Sequence, residues 1–154
     1  MELNRTVTPA NDKLISTNGA IFGGGTLTVT NLGANLQAGD YFQLFNQPVN
    51  GFAAVNLPAL AAGNIWQNNL VVDGSIRVVS TNAVTFAMGA MAGGRFTLGW
   101  PADHIGWQLQ VQTNGLATGL SANWFDVPNT VMTNRVTQPF SPQSGGVFFR
   151  LLYP

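Results

Sequence analysis

Cysteine is absent from the sequence, and its absence excludes several kinds of chemistry. Because the 154 residues include no cysteine, the chain has no disulfide, no thiol nucleophile and no zinc–thiolate site. Secreted bacterial proteins and cytosolic proteins can both lack cysteine, so this absence indicates no compartment.

Charged residues are also scarce. They make up 8% of the chain, with six acidic residues balancing six basic ones, whereas typical soluble domains have roughly 25%. The basic residues include a single lysine, Lys13, and they do not cluster. Because nucleic acids attract proteins through clustered Lys and Arg, we expect no nucleic-acid partner. The polar surface must instead consist of Asn, Gln, Thr and Ser, as is common on extracellular β proteins that work among polysaccharides.

Long hydrophobic runs are missing as well. No stretch of about 18 apolar residues occurs, so we expect no membrane insertion. The first residues, Met-Glu-Leu-Asn-Arg-Thr, have neither the basic start nor the apolar run of a signal peptide. If the natural protein is exported, we therefore expect this chain to be a fragment of a longer one.

Short alternating segments separated by Gly, Asn, Asp and Pro fill most of the chain. This pattern is typical of β-sandwiches and barrels. We predict an all-β fold, an antiparallel β-sandwich composed of two small packed β modules, residues 1–81 and 82–154. Two alternatives stay open: a single larger jelly-roll-like sandwich, and the end of a β-solenoid. No repeat of 20 to 50 residues relates the two halves.

Two local patterns are the clearest. Residues 70–79 predict a hairpin in which Asp73 and Gly74 form a two-residue turn, since Asp-Gly suits a turn with positive φ. Residues 106–114 alternate strictly, so one strand face is apolar and the other holds a row of three amides.

Several stretches carry a resemblance to known proteins. In the first half they are Asn-Asp-Lys-Leu-Ile at 11–15, Gly-Gly-Gly-Thr-Leu-Thr-Val at 23–29, Ala-Gly-Asp-Tyr-Phe-Gln-Leu-Phe at 38–45 and Val-Asp-Gly-Ser-Ile at 72–76. With these, the first half resembles the closing segment of secreted bacterial proteins with autotransporter-associated β-strand repeats. The resemblance implies a large exported protein, located outside the cell or at its surface, whose upstream domains are partners of this chain.

The second half has matching stretches of its own. They are residues 96–114, Gly-Leu-Ser-Ala-Asn-Trp at 119–124 and Val-Phe-Phe-Arg-Leu at 147–151. The half resembles the small C-terminal module that often follows such a segment, and more weakly the fibronectin type III and immunoglobulin-like sandwiches. Compared with those sandwiches, a final edge strand is missing.

Catalytic groups are hard to assemble from this sequence. His104, the single histidine, stands beside Asp103 in a turn, and no nucleophile motif accompanies it. The acids Asp12, Asp40 and Asp73 are scattered over turn-like contexts, where a carboxylate usually binds its own backbone. We predict no enzyme, no catalytic residue and no cofactor. A structural calcium ion is conceivable, but no acid-rich loop indicates one.

Carbohydrate binding is the leading functional hypothesis. Aromatic faces stack on sugar rings, and side-chain amides bind hydroxyls. Trp66 is predicted to lie in a polar loop that enters the hairpin, and Trp124 is out of phase with its apolar neighbours, so both are candidates for exposed aromatics. The candidate ligand-binding residues are Trp66, Trp124, Gln108, Gln110 and Gln112, with polysaccharide as the partner. The alternatives are a ligand-free cap or spacer of a β-solenoid and a self-associating surface or fibre protein.

Overall fold

The computed structural model describes residues 1–89, 91–115, 117, 119–139 and 145–153. The chain divides into two compact units, Met1–Asn82 and Ala83–Pro154, whose boundary lies one residue after the predicted one. The prediction of an all-β fold with several antiparallel sheets is confirmed. In the described part of the chain, no helix is long and apolar enough to span a membrane.

Unit 1 contains nine short strands. They are β1 (Glu2–Leu3), β2 (Ile21–Phe22), β3 (Thr26–Thr28), β4 (Thr30–Asn31), β5 (Tyr41–Gln43), β6 (Val49–Asn50), β7 (Ala54–Asn56), β8 (Asn64–Asn69) and β9 (Ser75–Ser80). Three pairs are parallel: β1 with β4, β2 with β6, and β3 with β7.

The three parallel pairs share one register. Position 2 lies opposite position 30, position 21 opposite 49, and position 26 opposite 54, so each partner is 28 residues further along the chain. These three pairs indicate that the backbone winds through two stacked coils, residues 1–28 and 29–56, as in a β-solenoid. Between them, the isolated parallel bridge from Leu14 to Phe45 has an offset of 31 residues. Unit 1 thus contains parallel pairs in addition to the antiparallel sheets.

The chain after the second coil pairs in the opposite sense. β9 lies between β5 and β8 and is antiparallel to both. Its residues are all buried, and Ile76, Val78 and Val79 are inaccessible to solvent. Ile76 and Val78 share one apolar cluster with Leu3 and Leu27 of the first coil and with second-coil residues such as Phe42 and Leu44. The hairpin β8–β9 therefore completes the core of the coils.

The predicted two-residue turn at Asp73 and Gly74 is wrong. Five residues, 70–74, connect β8 and β9, and the Asn69 carbonyl oxygen accepts the backbone N–H groups of Val72, Asp73 and Gly74 at 2.9, 2.9 and 3.2 Å. Val71 and Val72 are exposed, and Leu70 is buried. The turn takes the wider form because Leu70 enters the core while the two valines leave the sheet.

Unit 2 is a small antiparallel sandwich. Its strands are β10 (Ala87–Met88), β11 (Arg95–Gly99), β12 (Gln108–Asn114), β13 (Phe125–Asp126), β14 (Arg135–Pro139) and β15 (Gly146–Leu152), with a short 3-10 turn at Ala102–His104. They form two three-stranded sheets in the orders β10-β11-β14 and β13-β12-β15. Phe96 and Leu98 of β11 join Leu109 of β12 in one core, against which Phe149 and Leu151 of β15 pack.

Candidate functional site

The predicted amide row lies on the outer face of the sheet β13-β12-β15. Directly opposite residues of an antiparallel pair share a face, so Gln108, Gln110 and Gln112 lie beside Leu152, Arg150 and Phe148, respectively. We call this surface the amide face. The alternation of β12 is as predicted, but the amides are poorly exposed: Gln110 is 9% exposed and Gln112 is 2% exposed.

Gln108 holds the loop that follows β13. Its Nε2 donates to the carbonyl oxygens of Leu109 and Val127 at 2.8 Å each, and to Thr130 Oγ1 at 2.9 Å. Thr130 is buried and also accepts the backbone N–H of Leu109 at 3.1 Å. This amide therefore stabilises the unit internally.

Gln112 holds a second loop in the same way. Its Oε1 accepts the backbone N–H of Ser121 at 2.8 Å and the Ser121 hydroxyl at 3.1 Å, while its Nε2 donates to the Ser121 carbonyl oxygen at 3.1 Å. Asn114 Nδ2 donates to the same Oε1. The side chain thus binds both backbone groups of Ser121, as a neighbouring strand does.

Gln110 is the centre of a polar chain that reaches the surface. Its Nε2 donates to Asp126 Oδ1 at 2.7 Å, and its Oε1 accepts Arg150 Nε at 2.8 Å. The Arg150 guanidinium carbon lies 4.4 Å from the centre of the Trp124 ring, a cation–π contact. Asp126 and Arg150 are exposed and Trp124 is half-buried. The structure therefore brings two predicted residues, Gln110 and Trp124, together through Arg150, which sequence reasoning missed.

Trp66 belongs to a different unit. The prediction that it lies in a loop is wrong, because it is in the middle of β8, opposite Val78. Its ring packs against Phe42 with centroids 6.4 Å apart, and its Nε1 donates to the Pro58 carbonyl oxygen at 2.8 Å. The tryptophan is thus anchored to the core of unit 1.

The acidic residues have structural contacts. Asp12 accepts the backbone N–H of Glu2 at 3.0 Å, Asp73 accepts that of Ser75 at 2.9 Å, and Asp40 forms an ion pair with Arg5 at 2.9 Å. Buried His104 lies with Nδ1 2.7 Å from Asp103 Oδ1. Over the described ranges, no group of three His, Cys, Asp or Glu side chains could hold a metal ion. The absence of catalysis, cofactor and calcium stays a prediction.

Comparison of the chain with family models, with curated proteins and with solved structures finds no match.

A second candidate site is the outer edge of the first coil. Among the residues that the structure describes, β2 pairs only with β6 and β3 pairs only with β7, so each has a free edge. The outer edge of β1, by contrast, is covered, because Leu3 bridges Asn11 in the antiparallel sense. Unpaired strand edges are templates for pairing with another strand, and β6 and β7 are likewise paired on one side only among the described residues.

The two coils share only a weak sequence similarity. At the 28-residue offset, Ala10 matches Ala38, Asp12 matches Asp40, Asn18 matches Asn46, Gly23 matches Gly51, and Leu27 matches Val55. Gly23 and Gly51 lie where the coils approach closely: a Cβ on Gly23 would be 2.9 Å from the Asn50 carbonyl oxygen. Only four of the 28 positions are identical, so the two coils are related by their backbone pairing and not by a clear sequence repeat.

Proposed function

We propose that unit 1 is a structural cap that closes a parallel β-solenoid. The observation that carries the proposal is the change in pairing. Two coils stack in parallel at a 28-residue offset, and the hairpin β8–β9 then pairs antiparallel with β5. Since β9 runs against β5, the parallel winding is not continued along this strand. Terminal repeats of this kind keep solenoids soluble by ending the stack.

In this proposal the solenoid continues at the free edges of β2 and β3. A further coil of the same length pairs there at the strand spacing of about 4.8 Å, while residues 10–12 keep the edge of β1 covered. The resemblance to the closing segment of β-strand-repeat proteins supports this role. It also supports a parent protein outside the cell or at its surface, with the upstream domains as partners.

Duplication of one coil tests the proposal. A second copy of residues 29–56, inserted after Asn56, preserves the coil register. We expect the melting temperature to stay the same or rise, because a coil adds an interface with each neighbour. The matched control duplicates residues 29–42 at the same place, which breaks the register and should lower the melting temperature by about 10 °C or more. Circular dichroism measures both. Equal losses in the two variants would contradict the solenoid geometry.

Polysaccharide binding by the amide face is the second candidate. The observation that favours it is the group formed by Gln110, Asp126, Arg150 and Trp124, which combines an aromatic ring with charged donors and acceptors. Sugar rings bury their C–H surface on such rings while their hydroxyls bind neighbouring polar groups. Since Gln108 and Gln112 are bound to loops, we place the contact at Trp124 and Arg150.

Affinity electrophoresis in gels that contain plant, algal or bacterial polysaccharides tests this candidate. We expect Trp124→Ala to raise the dissociation constant that the retardation gives by about tenfold, which corresponds to about 1.4 kcal/mol. Phe125→Ala is the matched control, because it removes an exposed ring from the next position, where the side chain points to the other face. The candidate fails if no polysaccharide retards the unaltered protein, or if both variants lose binding equally.

A further inference from the structure

The longest free edge in the described part of unit 2 belongs to β15. Strand β15 runs for seven residues, Gly146–Leu152, and pairs on one side with β12. In the sheet order β13-β12-β15 it is the last strand, and no described strand lies beyond it. Natural proteins protect such edges with charges, proline or bulges. This edge has one charged residue, Arg150, and no proline.

The flank beside this edge is apolar and open. A cleft of about 170 Å³ lies there, lined by Met88, Met91, Phe96, Leu98, Val147 and Phe149. Met88 is 69% exposed and Met91 is 54% exposed. Large apolar side chains left in solvent next to a free strand edge indicate an interaction surface. Because β10 is also an edge strand, a strand added beside β15 lies against the residues that line the cleft.

We propose that two copies of this chain associate by pairing their β15 strands antiparallel about a two-fold axis at Phe149. In a two-fold pair the same surface of both copies meets itself. Two residues that lie directly opposite each other must point to the same face of the sheet. Because side chains alternate along a strand, opposite positions differ by an even number, so the two-fold axis passes through a residue and not between two residues. An axis at Phe149 pairs all seven residues, whereas an axis at Phe148 or Arg150 pairs fewer.

The side chains of β15 are complementary to themselves in this register. Val147 lies opposite Leu151 of the second copy, and the two Phe149 residues lie opposite each other at the axis, each ring packed against Phe96 of its own copy. Arg150 lies opposite Phe148, where a guanidinium and an aromatic ring attract each other. An axis at Arg150 instead sets two like charges opposite each other, which destabilises a sheet. The net charge of zero also leaves no overall repulsion between two copies.

Pairing of this kind closes on itself. The edge of β15 is used up in the dimer, and the opposite edge of the same sheet is β13, which is two residues long. A self-complementary two-fold contact produces a dimer, not an open fibre. Self-association through this sheet is therefore limited to two copies.

Sedimentation velocity on the full chain, over a wide range of concentrations, tests the proposal. We expect a monomer–dimer equilibrium. Phe148→Lys places a lysine opposite Arg150 of the second copy, and the two-fold symmetry creates this contact between like charges twice. The variant should therefore raise the dimer dissociation constant about tenfold or more. Phe148→Glu is the matched control: it removes the same ring but places a carboxylate opposite Arg150, so it should retain the dimer. A monomer at all concentrations, unlimited growth of the oligomer, or equal effects of the two variants would each overturn the proposal.

Hydrogen–deuterium exchange on the unaltered protein gives a test that does not depend on the folding of any variant. Amides of residues 146–152 should exchange more slowly as the concentration rises, because the dimer covers their outer edge. Amides of β13, on the opposite edge, serve as the internal reference and should not change. Slowing at β13, or no slowing at β15, would refute the pairing.

Discussion

At the scale of single residues, side-chain amides make many of the hydrogen bonds that hold loops to strands in this molecule. Asn46 donates to the Ser16 carbonyl oxygen at 2.9 Å and accepts the Ser16 N–H at 3.1 Å, so it imitates a strand residue between the two coils. Gln112 does the same with Ser121 in unit 2. An amide offers a donor and an acceptor without the desolvation cost of an ion, so it satisfies both backbone groups of a loop residue.

Arg77 is a buried charge among these neutral groups. Its side chain is buried in β9, and its guanidinium lies 4.9 Å from the centre of the Tyr41 ring. Burial lowers the pKa of Arg77 below its usual value, while Tyr41 and Asp73 oppose the shift. The cation is retained because the aromatic ring and the nearby acid offset part of the desolvation.

Removal of the Gln112 amide measures how much these hydrogen bonds contribute to the free energy of unfolding. Gln112→Ala leaves the backbone N–H and carbonyl of Ser121 without their partner, and we expect a loss of about 2 to 3 kcal/mol in the free energy of unfolding. Thr113→Ala, at the exposed next position, should change it by no more than about 0.5 kcal/mol. Urea unfolding compares the two. Losses of the same size in the two variants would show that the hydrogen bonds of the Gln112 amide to Ser121 do not stabilise the fold.

At the scale of elements, the turn between β8 and β9 fastens the hairpin to the second coil. The Gly74 carbonyl oxygen accepts the backbone N–H groups of Leu44 and Phe45 at 3.1 and 3.0 Å. Its φ is +81°, and a Cβ at this position would lie 2.4 Å from the Gln47 carbonyl oxygen. Only glycine fits both the conformation and the space.

We expect Gly74→Ala to be strongly destabilising, by about 2 kcal/mol or more, because the strained φ and the contact with backbone add together. Gly24→Ala is the matched control, because a Cβ there would meet nothing within 4 Å. It should shift stability by no more than about 1 kcal/mol in either direction. Thermal melting of both variants gives the comparison, and a tolerated Gly74→Ala would show that the hairpin is not held at this turn.

At the scale of the whole molecule, periodicity predicted what depends on local alternation. Alternating segments along the chain predicted the fold class, and the alternation in β12 predicted the two faces of that strand. Both predictions are possible because the side chains of a strand alternate whatever its partner is. Pairing direction has no such local signature: Thr26–Thr28 reads the same whether its partner is parallel or antiparallel. The parallel coils depend on backbone pairing between residues 28 apart, such as Glu2 with Thr30, which the alternation of side chains does not encode.

The candidate site was predictable only in part. The row of Gln108, Gln110 and Gln112 follows from alternation, but Gln108 and Gln112 bind loop residues up to 22 residues away. Arg150 reaches Gln110 across 40 residues. Contacts of that range depend on the register between strands, which the turns and the core set together.

The register of the coils also affects the order in which the molecule folds. The parallel contacts of unit 1 join residues 28 apart, whereas β12 meets β15 across up to 44 residues, from Gln108 to Leu152. Closing a loop costs conformational entropy that rises with its length, and chains with nearer partners fold faster. During synthesis, the parallel strand pairs of the two coils are complete once Asn56 has emerged, whereas β5 must wait for β9. The sheet β13-β12-β15 of unit 2 cannot form until β15 has been synthesised. The apolar residues that line the cleft beside it are therefore exposed until late in translation.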